Sequence, residues 1–341
     1  MGPVNALLLS ILLAANAMTA SAQVLDFESL SGWEDDDHLA ALTSFRNTCD
    51  LLTDPDWTPL CRLAAAAASS ESSARNFFEM FFKPVLSGTP PALFTGYYEP
   101  ELQGSLIRTP RFAYPIYRRP PELKDGQVWY DRATIESGIL RGRGLEIAWL
   151  DDPVEVFFLQ IQGSGRIHMP DGKVIRVGYA GRNGHPYQSV GQEMIRRGTH
   201  TMAQVSAQEI RAWVKANGTN GAALLNTNPS YVFFRKLKNL TADDGPIGAM
   251  GRSITALRSV AVDPNFVALG VPVWIETDGA NPIHRLMVAQ DTGGAIKGEQ
   301  RADIFFGTGH DAGQSAGVIK DGGRLVMLLP IDRAYAMLTE E

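Results

Sequence analysis

Apolar residues recur at helical spacing in DDDHLAALTSFRNTCDLL, where Leu39, Leu42, Phe45 and Leu52 follow a cluster of aspartates. Acidic residues at the start of such a segment suit the helix dipole, so the pattern predicts a helix. A second helix is expected in AAAAASSESSARNFFEMFFKPVL, stopping at Pro84. Beyond Phe94 the period changes. RFAYPIYR, QVWY, LEIAWL, VEVFFLQIQGSGRIHM and KVIRVGYAG are short runs rich in β-branched and aromatic residues, punctuated by Gly, Pro and Asp-Gly pairs. Asp171-Gly172 between the last two predicts a hairpin turn. Ser206 and Glu209 have capping-box spacing ahead of IRAWVKA, and Asn217-Gly218 is placed to stop that helix. Strand signals return in SITALRSVAV, GVPVWIET, HRLMVAQD, ADIFFG and GRLVMLL. The pattern predicts a mainly β protein with helices, a barrel or sandwich, with the Gly245-Pro246 loop as a boundary.

At 341 residues the chain is long for one domain, and two are expected. A net charge of −6 gives no basic footprint, so nucleic acid is not an expected partner. The N-terminus, MGPVNALLLSILLAANAMTASAQ, carries an uncharged apolar run from Ala6 to Met18 followed by Ala20-Ser21-Ala22. That is a signal-peptide pattern, too short for a membrane span, and it predicts export with residues 1–22 removed. The cleavage region holds no cysteine to carry a lipid. Cys49 and Cys61 could pair in an oxidising compartment or remain two small buried thiols; the sequence leaves both open.

Six histidines show no HxH or HExxH spacing, so no metal is expected. GSG at 163–165 lacks the rest of a dinucleotide loop, GGAIKG is not a phosphate loop, and there is no GxSxG elbow. Carboxylates remain. Asp291 and Asp303 frame a glycine-rich stretch, and glycosidic cleavage needs an acid for the departing oxygen with a second group beside the cationic centre. Asp303 opens the apolar run ADIFF, where burial would raise its pKa and keep it protonated. Asp291 closes LMVAQD and would orient or supply negative charge. Taken singly, either could be an ordinary turn residue, and the spacing does not choose between hydrolase and lyase. Tyr97, Tyr98, Trp149, Tyr187 and Trp274 are candidate sugar platforms, with core packing as the alternative. Gln160 and Gln162 alternate on an expected strand face. Gln162 and Ser164 are candidate substrate contacts with Tyr97, and Lys297 is a candidate for an acidic substrate group.

The ordered set FTGYYEPELQGS, VFFLQIQGSGRI, VGYAGRNGHPYQSVG, NPSYVFFR, GPIGAMG, VAVDPNFVALGVPVWIE and AQDTGGAIKGEQRADIFFG resembles the membrane-bound lytic murein transglycosylase A family, over residues 90 to 330. Its last part looks like the three-aspartate domain (about 255–330), whose namesake acids would be Asp263, Asp291 and Asp303. The resemblance implies a double-psi β-barrel from residues 23–100 and 245–341 and a smaller β-barrel inserted as residues 101–244, with a substrate groove between them. It implies cleavage of peptidoglycan between N-acetylmuramic acid and N-acetylglucosamine without water, with no cofactor. Asp303 matches the catalytic acid and Asp291 a supporting group, while Asp263, ahead of Pro264, is expected to cap a turn. Glycan strands would be the partner of an exported, periplasmic, monomeric enzyme, with outer-membrane association left open because the lipid-attachment cysteine is missing. The competing readings are an inverting glycosidase of related barrel fold and a non-catalytic wall-binding module.

Overall fold

The computed structural model describes residues 22–338. The apolar run and almost all of the expected signal peptide lie outside the described residues. The chain begins with β1 (Gln23–Val24), helices α1 (His38–Cys49), α2 (Thr58–Ala67) and α3 (Glu71–Phe81), then β2 (Phe82–Leu86) and β3 (Leu93–Glu99). A middle section follows: β4 (Glu101–Ser105), β5 (Tyr114–Tyr117), α4 (Arg132–Thr134), β6 (Glu146–Leu150), α5 (Pro153–Gln162), β7 (Ser164–His168), β8 (Val174–Arg182), α6 (Val190–Arg196), α7 (Ala207–Leu225) and β9 (Val232–Leu237). The last section holds β10 (Ser259–Val262), β11 (Pro272–Thr277), β12 (His284–Thr292), β13 (Arg301–Thr308), α8 (Gly309–Val318), β14 (Lys320–Asp321), β15 (Gly323–Pro330) and α9 (Ile331–Ala336).

The strands form two mixed sheets. One has nine strands in the order β1-β2-β15-β11-β12-β10-β13-β3-β14, drawn from both ends of the chain; the other has six, β5-β6-β4-β7-β8-β9, all from the middle. Helices α1 to α3 cover the first sheet. Phe45 sits among the rings of Trp57, Phe77, Phe78 and Phe82, each with its centroid within 6.4 Å, and is fully buried. Truncating such a residue to alanine costs about 3–5 kcal/mol. A disulfide between Cys49 and Cys61 ties the end of α1 to α2, resolving the two readings of that pair.

Several local expectations change. The apolar run VFFLQIQ is the helix α5, not a strand: Asp152 caps Val154 N–H at 2.8 Å, Pro153 takes the first turn, and Gly163 ends it at φ +79°. Those capping signals outweigh the strand propensity of the residues between them. QVWY forms no strand. The expected second helix is two, broken where the Ser70 side chain accepts from Ser73 N–H at 3.2 Å, and Pro84 lies inside β2. Gly218, at φ +48°, kinks α7 instead of stopping it. The Asp171-Gly172 turn does join β7 and β8 antiparallel, with Gly172 N–H bonded to Met169 O at 3.0 Å.

The sheets meet at Glu99, the last residue of β3, whose side chain is fully buried. Arg166 of β7 donates to it at 2.8 Å, Arg176 of β8 at 2.8 and 3.0 Å, and Thr308 of β13 at 2.9 Å. The same guanidinium groups bind the carbonyls of Thr241, Ala242 and Asp244, where the chain returns to the first sheet. A carboxylate this deep is tolerable because every lone pair faces a charged or hydroxyl donor.

Candidate active site

Asp291 and Asp303 lie in one sheet on either side of β10, and both stand opposite Ala261. Two interstrand steps of about 4.8 Å therefore separate their backbones. A bulge at Gln290 in β12 brings Asp291 into that register. The bulged residue is anchored in the helical layer, its amide donating to Ser44 O at 2.8 Å and Thr48 Oγ1 at 3.0 Å. Bulges re-aim a side chain, and α1 holds this one in place.

The two carboxyl groups have unequal surroundings. Asp291 Oδ1 accepts from Ala249 N–H at 3.0 Å and Thr292 N–H at 2.9 Å, while Oδ2 accepts from the Tyr97 hydroxyl at 2.9 Å. Burial nevertheless raises its pKa to about 6, with the charge of Asp303 adding to the rise. Among the described residues the Asp303 carboxyl group has one donor, the Thr95 hydroxyl, which binds Oδ1 closely and itself accepts from Arg301 Nη2 at 2.7 Å. Its Oδ2 makes no hydrogen bond among the described residues. Burial pushes the Asp303 pKa up, against the opposing pull of Thr95 and Arg301. One oxygen is thus oriented by the protein, and the other is left to hold and release a proton.

The Tyr97 ring is buried against Phe305, with centroids 5.3 Å apart, so its hydroxyl serves Asp291 and its face offers no sugar platform. Trp274 is likewise wholly inside the core. Gln162 Oε1 accepts from Tyr98 N–H at 3.0 Å, linking α5 to β3, and leaves its amide nitrogen unpaired among the described residues. Gln160 points elsewhere, into a buried bond from Arg132 at 2.6 Å. Ser164 is buried in β7, paired with Gly178. Lys297 turns to Asp263 at 3.5 Å, away from either acid. Asp263 caps its turn as expected, accepting from Asn265 and from Gly298 N–H at 3.1 Å. Burial pulls its pKa up, and these donors outweigh it for a net lowering. The loop over 293–298 is therefore held at Gly298 by Asp263 and at its middle by buried Ile296. Thr95 and Arg301, which orient Asp303, escaped sequence reasoning. Their signal is the pairing of Thr95 with Asp303 across β3 and β13, which only the register reveals. Among the described residues no group of three or more His, Cys, Asp or Glu is arranged to hold a metal ion.

Comparison with known proteins places these strands in a family. The model described as the MltA specific insert domain matches residues 93–235, and the 3D domain model matches residues 258–329. Membrane-bound lytic murein transglycosylase A of Escherichia coli K12 is 37% identical over 246 residues, 69% of this chain. The match spans 65% of that relative's length. The crystal structure of a membrane-bound lytic murein transglycosylase from Agrobacterium tumefaciens superposes with TM-score 0.83 at 33% identity, covering 93% of this chain and 99% of that one. The Escherichia coli protein with bound chitohexaose gives TM-score 0.76 at 28% identity, covering 92% and 95%. Two matched domains in order, and a solved relative covered almost end to end, show that the chain belongs to the membrane-bound lytic murein transglycosylase A family.

Proposed function

We infer that this protein is a peptidoglycan lytic transglycosylase in which Asp303 is both acid and base. The observation carrying this reading is the inequality of the two acids: Asp291 is held on both oxygens by three donors, Asp303 on one oxygen by one. Protonated Asp303 gives its proton to O4 of N-acetylglucosamine as the bond from C1 of N-acetylmuramic acid breaks. Ionised Asp291 offsets the positive charge growing at C1. The muramyl 6-hydroxyl then attacks C1, its proton passes to the Asp303 carboxylate, and a 1,6-anhydro ring closes. No water is consumed, the acid is regenerated, and the chemistry balances without a cofactor. Because the nucleophile belongs to the same sugar, proximity replaces a water-activating base. An inverting hydrolase would need such a base, and Asp291, with both oxygens occupied, is poorly arranged for it.

The names of the relatives agree with this reading, and chitohexaose in the Escherichia coli protein is a β-1,4-linked glycan of the same backbone type. The proposal extends to architecture. Residues 23–100 with 245–341 would make a double-psi β-barrel, residues 101–244 a smaller inserted barrel, and the glycan would lie in a groove between them. Export after loss of residues 1–22 and action as a monomer in the periplasm belong to the same proposal, with outer-membrane association left open. No helix among the described residues is long and apolar enough to cross a membrane. Digestion of purified sacculi followed by mass analysis tests the chemistry. Anhydromuramyl ends are expected; reducing ends in their place would make the protein a hydrolase. Asp303→Asn should abolish release while retaining glycan binding, and substantial residual turnover would remove Asp303 from the acid role.

A further inference from the structure

Arg182 closes β8 in the second sheet and is exposed, its side chain making no hydrogen bond or ion pair among the described residues. A Cβ built on Gly294, in the loop between the two acids, would come within 3.2 Å of Arg182 Nη1. The guanidinium therefore lies over the segment that leaves Asp291.

Its placement is built into the strand. A bulge between Tyr179 and Gly181 shifts the pairing of β8 with β9, and Gly181 takes φ +147° there. The neighbouring Asn183 is fully buried, donating to Tyr130 O at 2.9 Å and Pro229 O at 2.8 Å and accepting from Tyr231 N–H at 2.9 Å. The backbone is thus fixed on one side of Arg182 while its side chain stays free. Tyr179, three residues earlier, exposes 51% of its surface, leaving an aromatic face beside the cation. A bulge and a locked neighbour hold the backbone at the rim of the site, and the unpaired guanidinium carried there is a fork that matches a planar anion.

Peptidoglycan supplies such anions. A neutral β-1,4 glycan does not, whereas the muramyl residue bears a carboxylate as its lactyl group or on its peptide stem. The chain carries a net charge of −6, which opposes an acidic polymer unless a local cation meets it. We propose that Arg182 is a specificity residue that binds a carboxylate carried by the muramyl residue, so that the site distinguishes murein from neutral glycan. This rests on the lytic transglycosylase reading above.

The test compares Arg182→Gln and Arg182→Lys with the unsubstituted chain on three probes: chitohexaose, denuded glycan strands with free lactyl carboxylates, and strands bearing peptide stems. Affinities are measured in the Asp303→Asn background, where cleavage does not interfere, and KM and kcat in the active background. Loss of a bidentate charge-assisted contact should weaken binding roughly ten- to hundred-fold and raise KM in step. The expected result is that loss on a carboxylate-bearing strand, kcat within about two-fold, and unchanged chitohexaose affinity. Lysine restores part of the loss. A loss confined to denuded strands assigns the lactyl carboxylate, and one confined to stem-bearing strands assigns the stem. Equal weakening on chitohexaose, or no weakening on either acidic strand, overturns the proposal. Absence of anhydro product from the unsubstituted chain would instead overturn the parent reading, and the binding comparison still decides the role of Arg182.

Discussion

Replacing Asp291 by asparagine should stabilise the protein at neutral pH. The burial that raises the Asp291 pKa from the ordinary 3.8 to about 6 disfavours its ionised form in the folded chain. Between those values the folded state binds more protons than the unfolded state, so stability falls as pH rises through that window. A rise of about two units, at about 1.4 kcal/mol each, makes the ionised carboxylate cost about 3 kcal/mol above pH 6. Asparagine is never ionised, and its geometry suits the site. Its Oδ1 can accept from Ala249 and Thr292 N–H, and its amide can donate to the Tyr97 oxygen. Urea denaturation of both proteins from pH 4 to pH 8 measures the difference. The variant should gain up to about 3 kcal/mol at pH 8, with the gain shrinking to nothing near pH 4, while turnover falls. A gain independent of pH, or a loss confined to high pH, would refute the argument that burial raises this pKa.

Thr95→Val removes the one hydrogen bond to the Asp303 carboxyl group among the described residues, so the Asp303 pKa should rise further; the alkaline limb of kcat/KM is expected about one pH unit higher, and an unmoved limb would deny Thr95 its role. Glu99→Gln leaves buried Arg176 and half-buried Arg166 without a counter-charge. A loss of about 3–5 kcal/mol is expected, with faster hydrogen exchange in β7, β8 and residues 241–244. Joint replacement of Cys49 and Cys61 by serine should cost about 3 kcal/mol, read as a lower melting temperature under oxidising conditions; equal melting of both forms would count against a stabilising disulfide.

Much of the strand layout was legible because period-2 runs between Gly, Pro and Asp-Gly punctuation leave little choice of conformation. HRLMVAQD and ADIFFG became β12 and β13 and delivered both acids. Where the reading failed, capping competed with propensity: VFFLQIQ is strand-like in composition, and Asp152-Pro153 with Gly163 made it a helix. The acids could be named as residue types in an apolar setting. Their inequality could not, because it depends on Tyr97, Ala249 and Thr95, brought in from distant parts of the chain. The fate of Lys297 was equally hidden, since its partner Asp263 lies 34 positions away in sequence.

The register around Ala261 has a consequence for how such a site diverges. The distance between Asp291 and Asp303 is set by the hydrogen-bond spacing of β12, β10 and β13, a ruler that belongs to the backbone. The eleven intervening positions from Thr292 to Ala302 link the acids along the chain without setting the gap between them. Within it, Thr292 and Arg301 serve the acids and Ile296 and Gly298 are held in place, but exposed Gly294 and Ala295 can change, and so what they present to an incoming polymer, while the proton-transfer geometry stays constant. Preference and chemistry are separable by design of the sheet, so loop libraries spanning Gly294 and Ala295 are a route to altered polymer choice with the reaction intact.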